Sequence, residues 1–294
     1  MIFRFPGGKT KHQKKFLKYL PENFKEARFP FVGGGGIFWL IDIEKKRWIN
    51  DVNEDLMSVY FALKFRPDHF IFQCNQIDPE KEEEVKVKTK KNGKSDKTYN
   101  ERLKKWFDFF VEHETSDQAL RYFFINRTVW GGRVNYDSYM KSRLYFSNPS
   151  GWNIVKGNKL QKAAEIIKDT TATSLDYKLL LVFPGEDVWI YNDPPYLSHT
   201  DLAKTDKLYQ YEFSLKDHRN LLNELKKCKH KWCLSYNDCD EIREWYKDYY
   251  IFEEEWSYCG SSKKQKDKGK ELVITNYPVE SSLKKEMIFE KQES

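Results

Sequence analysis

Val188-Trp189-Ile190-Tyr191-Asn192-Asp193-Pro194-Pro195-Tyr196 is the stretch that decides the fold. Its apolar, aromatic and β-branched opening reads as a buried strand, which breaks abruptly into Asp-Pro-Pro-Tyr. The two prolines fix their own φ angles and donate no N–H, and each holds the residue before it extended. Nothing after Asp193 can continue a ladder. The result is a stiff elbow at the carboxyl end of a strand, presenting a carboxylate, backbone carbonyls and an aromatic face. Open α/β sheets bind their ligands at this end of their strands.

That elbow suits a flat ring with an exocyclic amine. Such an amine keeps its lone pair in conjugation and is a poor nucleophile. The Asp193 carboxylate and the Pro194 carbonyl can accept its two hydrogens and turn the lone pair toward an electrophile. Tyr196 can stack on the ring, a contact worth roughly 1–3 kcal/mol for a nucleic-acid base. The plainer reading is that Pro194-Pro195 ends a strand and Tyr196 caps a core. An Asp at the end of an apolar strand favours the chemical one.

The 294 residues can bury a substantial core in one or two domains. A formal charge of +6 beside 16% aromatic residues suits a nucleic-acid partner and excludes a disordered chain. No apolar run is long enough to span a membrane, and Met1-Ile2-Phe3 leads straight into Arg4 without a signal-peptide core. No membrane association and a cytoplasmic setting are therefore expected. Five cysteines at irregular spacings point to reduced thiols. Cys228, His230, Cys233 and Cys239 cluster, but without a C-x2-C pair no metal site is expected.

Helix and strand signals alternate. Residues 11–20, 54–64, 158–168 and 240–246 read as helices, and 47–50 and 231–235 as strands. Ser214 and Asp217 form a capping box ahead of a helix whose Leu215, Leu221, Leu222 and Leu225 share a face. Residues 255–258 and 272–275 read as a hairpin around a lysine-rich loop, and the tail after about Pro278 as weakly ordered. The class is α/β with a largely parallel sheet. Residues 66–152 break the rhythm, which predicts a catalytic domain of 1–65 and 153–294 with an insertion at 66–152. Within that insertion, residues 86–105 carry nine Lys or Arg against Asp96 and Glu101, more than the whole chain's net charge. Lys90, Lys91 and Lys94 are the candidate phosphate contacts there.

Upstream, Phe29-Pro30-Phe31-Val32-Gly33-Gly34-Gly35-Gly36 places a glycine-rich turn after an apolar strand, where backbone can approach a nucleotide-like cofactor. It is not a Walker loop. Asp51 ends the next strand, where an acid grips ribose hydroxyls, although it can also cap a helix.

Together these features resemble the Dam-type, D12 class (alpha group) DNA adenine-N6 methyltransferase family, in family order over most of the chain. Phe5-Pro6-Gly7-Gly8-Lys9 looks like its N-terminal cofactor loop and Phe29 to Gly36 like its glycine-rich turn. Asn50-Asp51-Val52-Asn53-Glu54-Asp55-Leu56 looks like its ribose segment, and Ser174-Leu175-Asp176-Tyr177 like its acidic turn. Asp193-Pro194-Pro195-Tyr196 matches its catalytic motif, and Leu234-Ser235-Tyr236-Asn237-Asp238 and Glu271-Leu272-Val273-Ile274-Thr275-Asn276-Tyr277 its late strands.

The resemblance implies a Rossmann-like S-adenosylmethionine-dependent methyltransferase fold with an inserted, mainly helical target-recognition domain. It implies a flipped adenine in double-stranded DNA held by Asp193, Pro194, Pro195 and Tyr196. Phe5, Gly8, Lys9, Phe31, Gly33, Gly35, Asp51, Asp176, Tyr177 and Asp193 would line the S-adenosylmethionine site. In the insertion, Phe123-Phe124-Ile125-Asn126-Arg127-Thr128-Val129-Trp130-Gly131-Gly132-Arg133-Val134-Asn135-Tyr136 is similar to the family's DNA-entering segment, in a shortened form. Asn126, Arg127, Arg133 and Asn135 are its candidate DNA contacts. The expected enzyme is of phage, virus or restriction–modification type and works as a monomer or a weak dimer on DNA.

One departure stands out. The family places an acid just before Pro-Phe in the glycine-rich turn, where it holds the cofactor's ammonium; this chain has Phe29. The missing charge-assisted hydrogen bond is worth roughly 1.5–3 kcal/mol. Either cofactor binding weakens, another acid substitutes, or activity is lost. The rival readings are a methyltransferase for another planar amine (RNA adenine, cytosine N4 or a glutamine amide) and a degenerate DNA-binding subunit.

Overall fold

Seven strands form one sheet in the order β3-β2-β1-β4-β5-β7-β6. The computed structural model describes residues 2–4, 13–77, 97–113, 117–132, 134, 146–197, 213–257 and 268–279. The strands are β1 Glu26–Phe29, β2 Lys46–Asn50, β3 Thr171–Thr173, β4 Val188–Asn192, β5 Lys231–Asn237, β6 Tyr250–Ser257 and β7 Lys268–Thr275. β3, β2, β1, β4 and β5 run parallel, while β7 pairs antiparallel with β5 and with β6. Strand order reverses between β1 and β4, so their carboxyl ends open the crevice in which doubly wound sheets bind ligands.

The described helices are α1 Gln13–Phe16, α2 Glu54–Phe65, α3 Pro67–Gln76, α4 Lys97–Glu112, α5 Gln118–Thr128, α6 Lys159–Ile167, α7 Tyr177–Val182, α8 Leu215–Lys227 and α9 Asp240–Trp245. Alternation along the central strands sends their side chains to opposite faces. Trp189 and Tyr191 of β4, with Cys233 of β5, face a core that also holds Leu56 and Tyr60 of α2, Phe123 of α5 and Leu160 of α6. Val188 and Ile190 of β4, with Trp232 and Leu234 of β5, face the other core, with Leu221, Leu222 and Leu225 of α8 and Ile242 of α9. The described helices of residues 66–152 contribute Phe70, Leu103, Phe107 and Phe123 to the first core. They thicken one face of the sheet.

Local chemistry fixes the element ends. Asn53 caps α2 by accepting from Leu56 N at 3.0 Å, Asp117 caps α5, and the Ser214–Asp217 box opens α8 with both of its reciprocal bonds. Fully buried Arg28 donates to Glu26, and to the carbonyls of Leu180, Phe183 and Pro184, tying β1 to the end of α7. The helix expected over 11–20 is, in its described part, α1 followed by a 3-10 turn at Leu17–Tyr19. The strand expected at 255–258 begins earlier, as β6. Among the described helices none is long and apolar enough to cross a membrane.

Candidate active site

All five residues of β4 are buried, and the chain leaves the sheet at Asp193 as the Pro-Pro pair requires. β4 pairs with β5 through Asn192↔Leu234, which puts Asp193 level with Ser235. The Ser235 hydroxyl donates to Asp193 Oδ1 at 2.7 Å and lies 3.1 Å from the Tyr191 hydroxyl. Asn237, two residues further along β5, donates to the Leu197 carbonyl at 2.8 Å and pins the chain beyond the elbow. The Tyr196 ring lies 6.2 Å from that of Tyr236. Its hydroxyl neighbours Glu271 of β7, a carboxylate only 3% exposed. Burial, with Asp193 and Glu271 close by, holds the Tyr196 phenol well above its ordinary pKa and therefore neutral.

Across the crevice, the chain after β1 turns sharply through Gly33 (φ 47°) and Gly35 (φ 74°). A Cβ on Gly35 would meet Trp39 Nε1 at 2.7 Å and the Tyr60 hydroxyl at 2.9 Å, so only glycine fits. Asp51, directly after β2, accepts from Gly33 N at 2.9 Å through one oxygen and from Asn53 N at 3.0 Å through the other. Helix capping falls to Asn53. Burial pushes the Asp51 carboxyl up to about 6, against the two N–H donors that pull it down.

Asn50, fully buried, joins three loops at this end of the sheet. Its amide donates to Pro30 O at 3.1 Å and Leu175 O at 2.9 Å, and its carbonyl accepts from Leu175 N and the Thr173 hydroxyl, both at 2.8 Å. This brings the third expected segment in. Asp176 caps α7, accepting from Lys178 N at 3.0 Å, and its side chain stays exposed. The adjoining Tyr177 ring sits 5.0 Å from Phe31, with Phe213 edge-on to Phe31 at 5.8 Å. The elements therefore bring Phe31, Gly33, Gly35, Asp51, Asp176, Tyr177 and the residues from Asp193 to Tyr196 to one end of the sheet.

Two expected DNA contacts lie elsewhere. Asn126 is fully buried at the end of α5: its Oδ1 accepts from Arg4 N at 3.0 Å, and its Nδ2 donates to Arg4 O at 2.7 Å and Gly132 O at 2.9 Å. Arg127 donates to Gly151 O at 3.0 Å and Ile2 O at 3.2 Å. Its pKa drops to about 10 through burial and the nearby Arg4. These groups are spent on backbone, clamping residues 2–4 against α5, and neither is presented to a base edge. Gly132 completes the clamp, since a Cβ there would stand 2.3 Å from Arg4 O. Phe29 also points inward, 2% exposed, with its ring against Phe38, Trp189 and Tyr191. Phe5, Gly8, Lys9, Lys90, Lys91, Lys94, Arg133 and Asn135 lie outside the described residues.

Sequence reading quoted Asn50, Ser235 and Glu271 only as members of longer segments and gave none of them a role of its own. Their partners lie far away in the chain, so the sequence offered no local signal for those roles.

Comparison with known proteins gives the family. The family of D12 class N6 adenine-specific DNA methyltransferases matches residues 5–259. The chain is 26% identical to the Type II methyltransferase M.CviBI of Paramecium bursaria Chlorella virus NC1A, over 87% of this chain and 90% of that one. It is 23% identical to the Type II methyltransferase M.MjaIII of Methanocaldococcus jannaschii, over 77% and 79%. It is 24% identical to a DNA adenine methylase of Vibrio cholerae, over 77% and 76%.

Proposed function

The chain belongs to the D12 class of N6 adenine-specific DNA methyltransferases, and from that membership we propose how its residues divide the work. It is an adenine-specific DNA methyltransferase. The observation that carries the residue assignment is the juxtaposition of the Asp193–Tyr196 elbow with the glycine turn across the β1–β4 crevice.

S-adenosylmethionine fits the second half of that crevice. The turn at Gly35 leaves no room for a side chain, Asp51 offers a carboxylate for ribose hydroxyls, and Phe31 with Tyr177 gives an aromatic wall for an adenine ring. Each Asp51 oxygen has a lone-pair site beyond the one its backbone donor uses. Bound there, the cofactor supplies an electrophilic sulfonium methyl. The target adenine leaves its duplex stack to reach the elbow, as bases do when chemistry is performed on them. Tyr196 stacks on the ring. Asp193 and the Pro194 carbonyl accept the two N6 hydrogens, which frees the lone pair and orients it. Pro195 keeps the elbow rigid. Asp193 also takes up the proton that the amine gives up.

Basic residues of the insertion, Lys90, Lys91 and Lys94 among them, supply phosphate contacts, and Arg133 and Asn135 reach the duplex. Residues 66–152 are the recognition part of the enzyme, and the remaining chain its catalytic part. The buried thiols of Cys74 and Cys233, neither in a disulfide, suit a reducing cytoplasm. We read the enzyme as acting as a monomer.

The test is transfer of a labelled methyl group from S-adenosylmethionine to unmethylated DNA, followed by mass spectrometry of the nucleosides. N6-methyladenine is the expected product. No incorporation at saturating cofactor, together with no calorimetric heat on adding it, would make the chain a degenerate DNA-binding relative.

A further inference from the structure

We propose that Ser235 is a positioning residue for Asp193, held in its own orientation by the buried hydroxyl of Tyr191. This rests on the reading of Asp193 as the acceptor for the target amine. Tyr191 lies on β4 opposite Cys233 of β5, and Asp193 follows directly after the strand; the Ser235 hydroxyl, two residues along β5 from Cys233, reaches both. The side chains consequently form a row across two central strands. Tyr191 is 5% exposed and Ser235 fully buried.

The direction of the row follows from hydrogen count. Ser235 has a single hydroxyl hydrogen, and it is donated to Asp193 Oδ1. The Ser235 oxygen must then be the acceptor in its 3.1 Å contact with Tyr191, whose hydroxyl is the donor. Burial and the nearby Asp193 keep the Tyr191 phenol protonated, as that role requires. Two consequences follow for the chemistry. A donor to Oδ1 fixes rotation of the carboxylate about its last torsion, which is otherwise broad. Chained donors also polarise one another, so the loss of Tyr191 weakens the Ser235 bond without breaking it.

The test compares variants of equal volume. Ser235→Thr and Ser235→Val differ only in the hydroxyl, so any packing cost falls on both. Single-turnover methyl transfer is expected to be about ten- to hundredfold slower in Ser235→Val than in Ser235→Thr, the scale of a hydrogen bond to a charged group. Cofactor and DNA dissociation constants should match between the two. Tyr191→Phe should slow transfer about three- to tenfold. Equal rates for the threonine and valine variants would overturn the proposal. Where thermal melts show that the larger side chains prevent folding, Ser235→Ala decides: it is expected to be at least tenfold slow, and wild-type speed would overturn the idea. Asp193→Ala in the same assay separates the two levels. Normal transfer by Asp193→Ala means that the assigned amine site has failed; an inactive Asp193→Ala with equal Ser235→Thr and Ser235→Val means that only the positioning role has.

Discussion

Asp51 and Asp193 follow the two strands that flank β1, and they are held in opposite ways. Asp51 spends both oxygens on backbone N–H groups, those of Gly33 and Asn53. Asp193 is gripped through a side-chain hydroxyl, that of Ser235. The first carboxylate is part of the scaffold of the loop it serves. The second stands on a scaffold that two prolines have already built. Removing Asp51 should therefore cost structure as well as binding, while removing Asp193 should cost chemistry alone.

The largest effect expected is on that chemistry. Asp193→Ala should slow methyl transfer by about a thousandfold or more, equivalent to about 4 kcal/mol of barrier. Unfolding free energy should move by less than about 1 kcal/mol. DNA affinity in a gel shift should stay near wild type. A cooperative loss of stability in Asp193→Ala would erase the contrast with Asp51.

Asn126 belongs with Asp51, as a polar side chain that serves backbone. Asn126→Ala abandons Arg4 N, Arg4 O and Gly132 O, and should lower stability by about 3 kcal/mol. Folded Asn126→Ala should keep its DNA sequence preference. Relaxed preference at unchanged stability would instead restore a base-reading role.

Asn126 also marks where legibility ended. The elbow, the glycine turn and the Ser214–Asp217 box were all readable, because each is local chemistry within a few residues; the bond from Gly33 N to Asp51, 18 positions apart, was not. Asn126 and Arg127 follow an apolar run that ends a helix, as a solvent-facing pair would. What buries Asn126, and takes one of the Arg127 donors, is residues 2–4, more than a hundred positions away in the chain. Ser235 has the same character: its partner is set by strand order, which joins segments 42 residues apart. β3 escaped notice because Thr171–Thr173 carries no buried apolar run, and α7 because six residues give too short a window for periodicity. Even so, the acidic residue expected before α7 turned out to be its cap.

Next in size is Asp51→Ala, which leaves two loop N–H groups without their acceptor. Stability should fall by about 2 kcal/mol, and cofactor affinity about thirtyfold, by thermal melt and calorimetry. A stable Asp51→Ala that merely bound cofactor weakly would make Asp51 a pure cofactor ligand with no part in the scaffold.

A pH titration sharpens the same point. The folded-state pKa of Asp51 is raised to about 6, so ionising it is costlier in the fold than in the unfolded chain. The unliganded protein should therefore lose stability as pH rises from about 4 through about 6, the reverse of an ion-paired carboxylate. Partial exposure holds the effect to about 1 kcal/mol. Cofactor affinity should rise over the same window, because the ionised form is the better acceptor for hydroxyls. Asp51→Asn should flatten both curves; a surviving midpoint near 6 would assign the titration to another group.

The smallest effect comes from the far side of the turn. Tyr60 of α2 is fully buried and donates its hydroxyl to Gly33 O at 2.9 Å, so Gly33 is bonded through its N–H to Asp51 and through its carbonyl to Tyr60. The Tyr60 hydroxyl also lies where a side chain on Gly35 would go. Tyr60→Phe keeps the ring and its contacts with Phe3 and Trp39. Only the carbonyl's donor is lost, which should cost about 1 kcal/mol of stability. Cofactor affinity should fall a few-fold, because the turn keeps its Asp51 bond. The rate of transfer from saturating cofactor should not change at all, since nothing in this bond reaches the elbow. A slowed saturated rate in Tyr60→Phe would show that the two acids are coupled through the crevice, and the division between scaffold and chemistry would fail at that point.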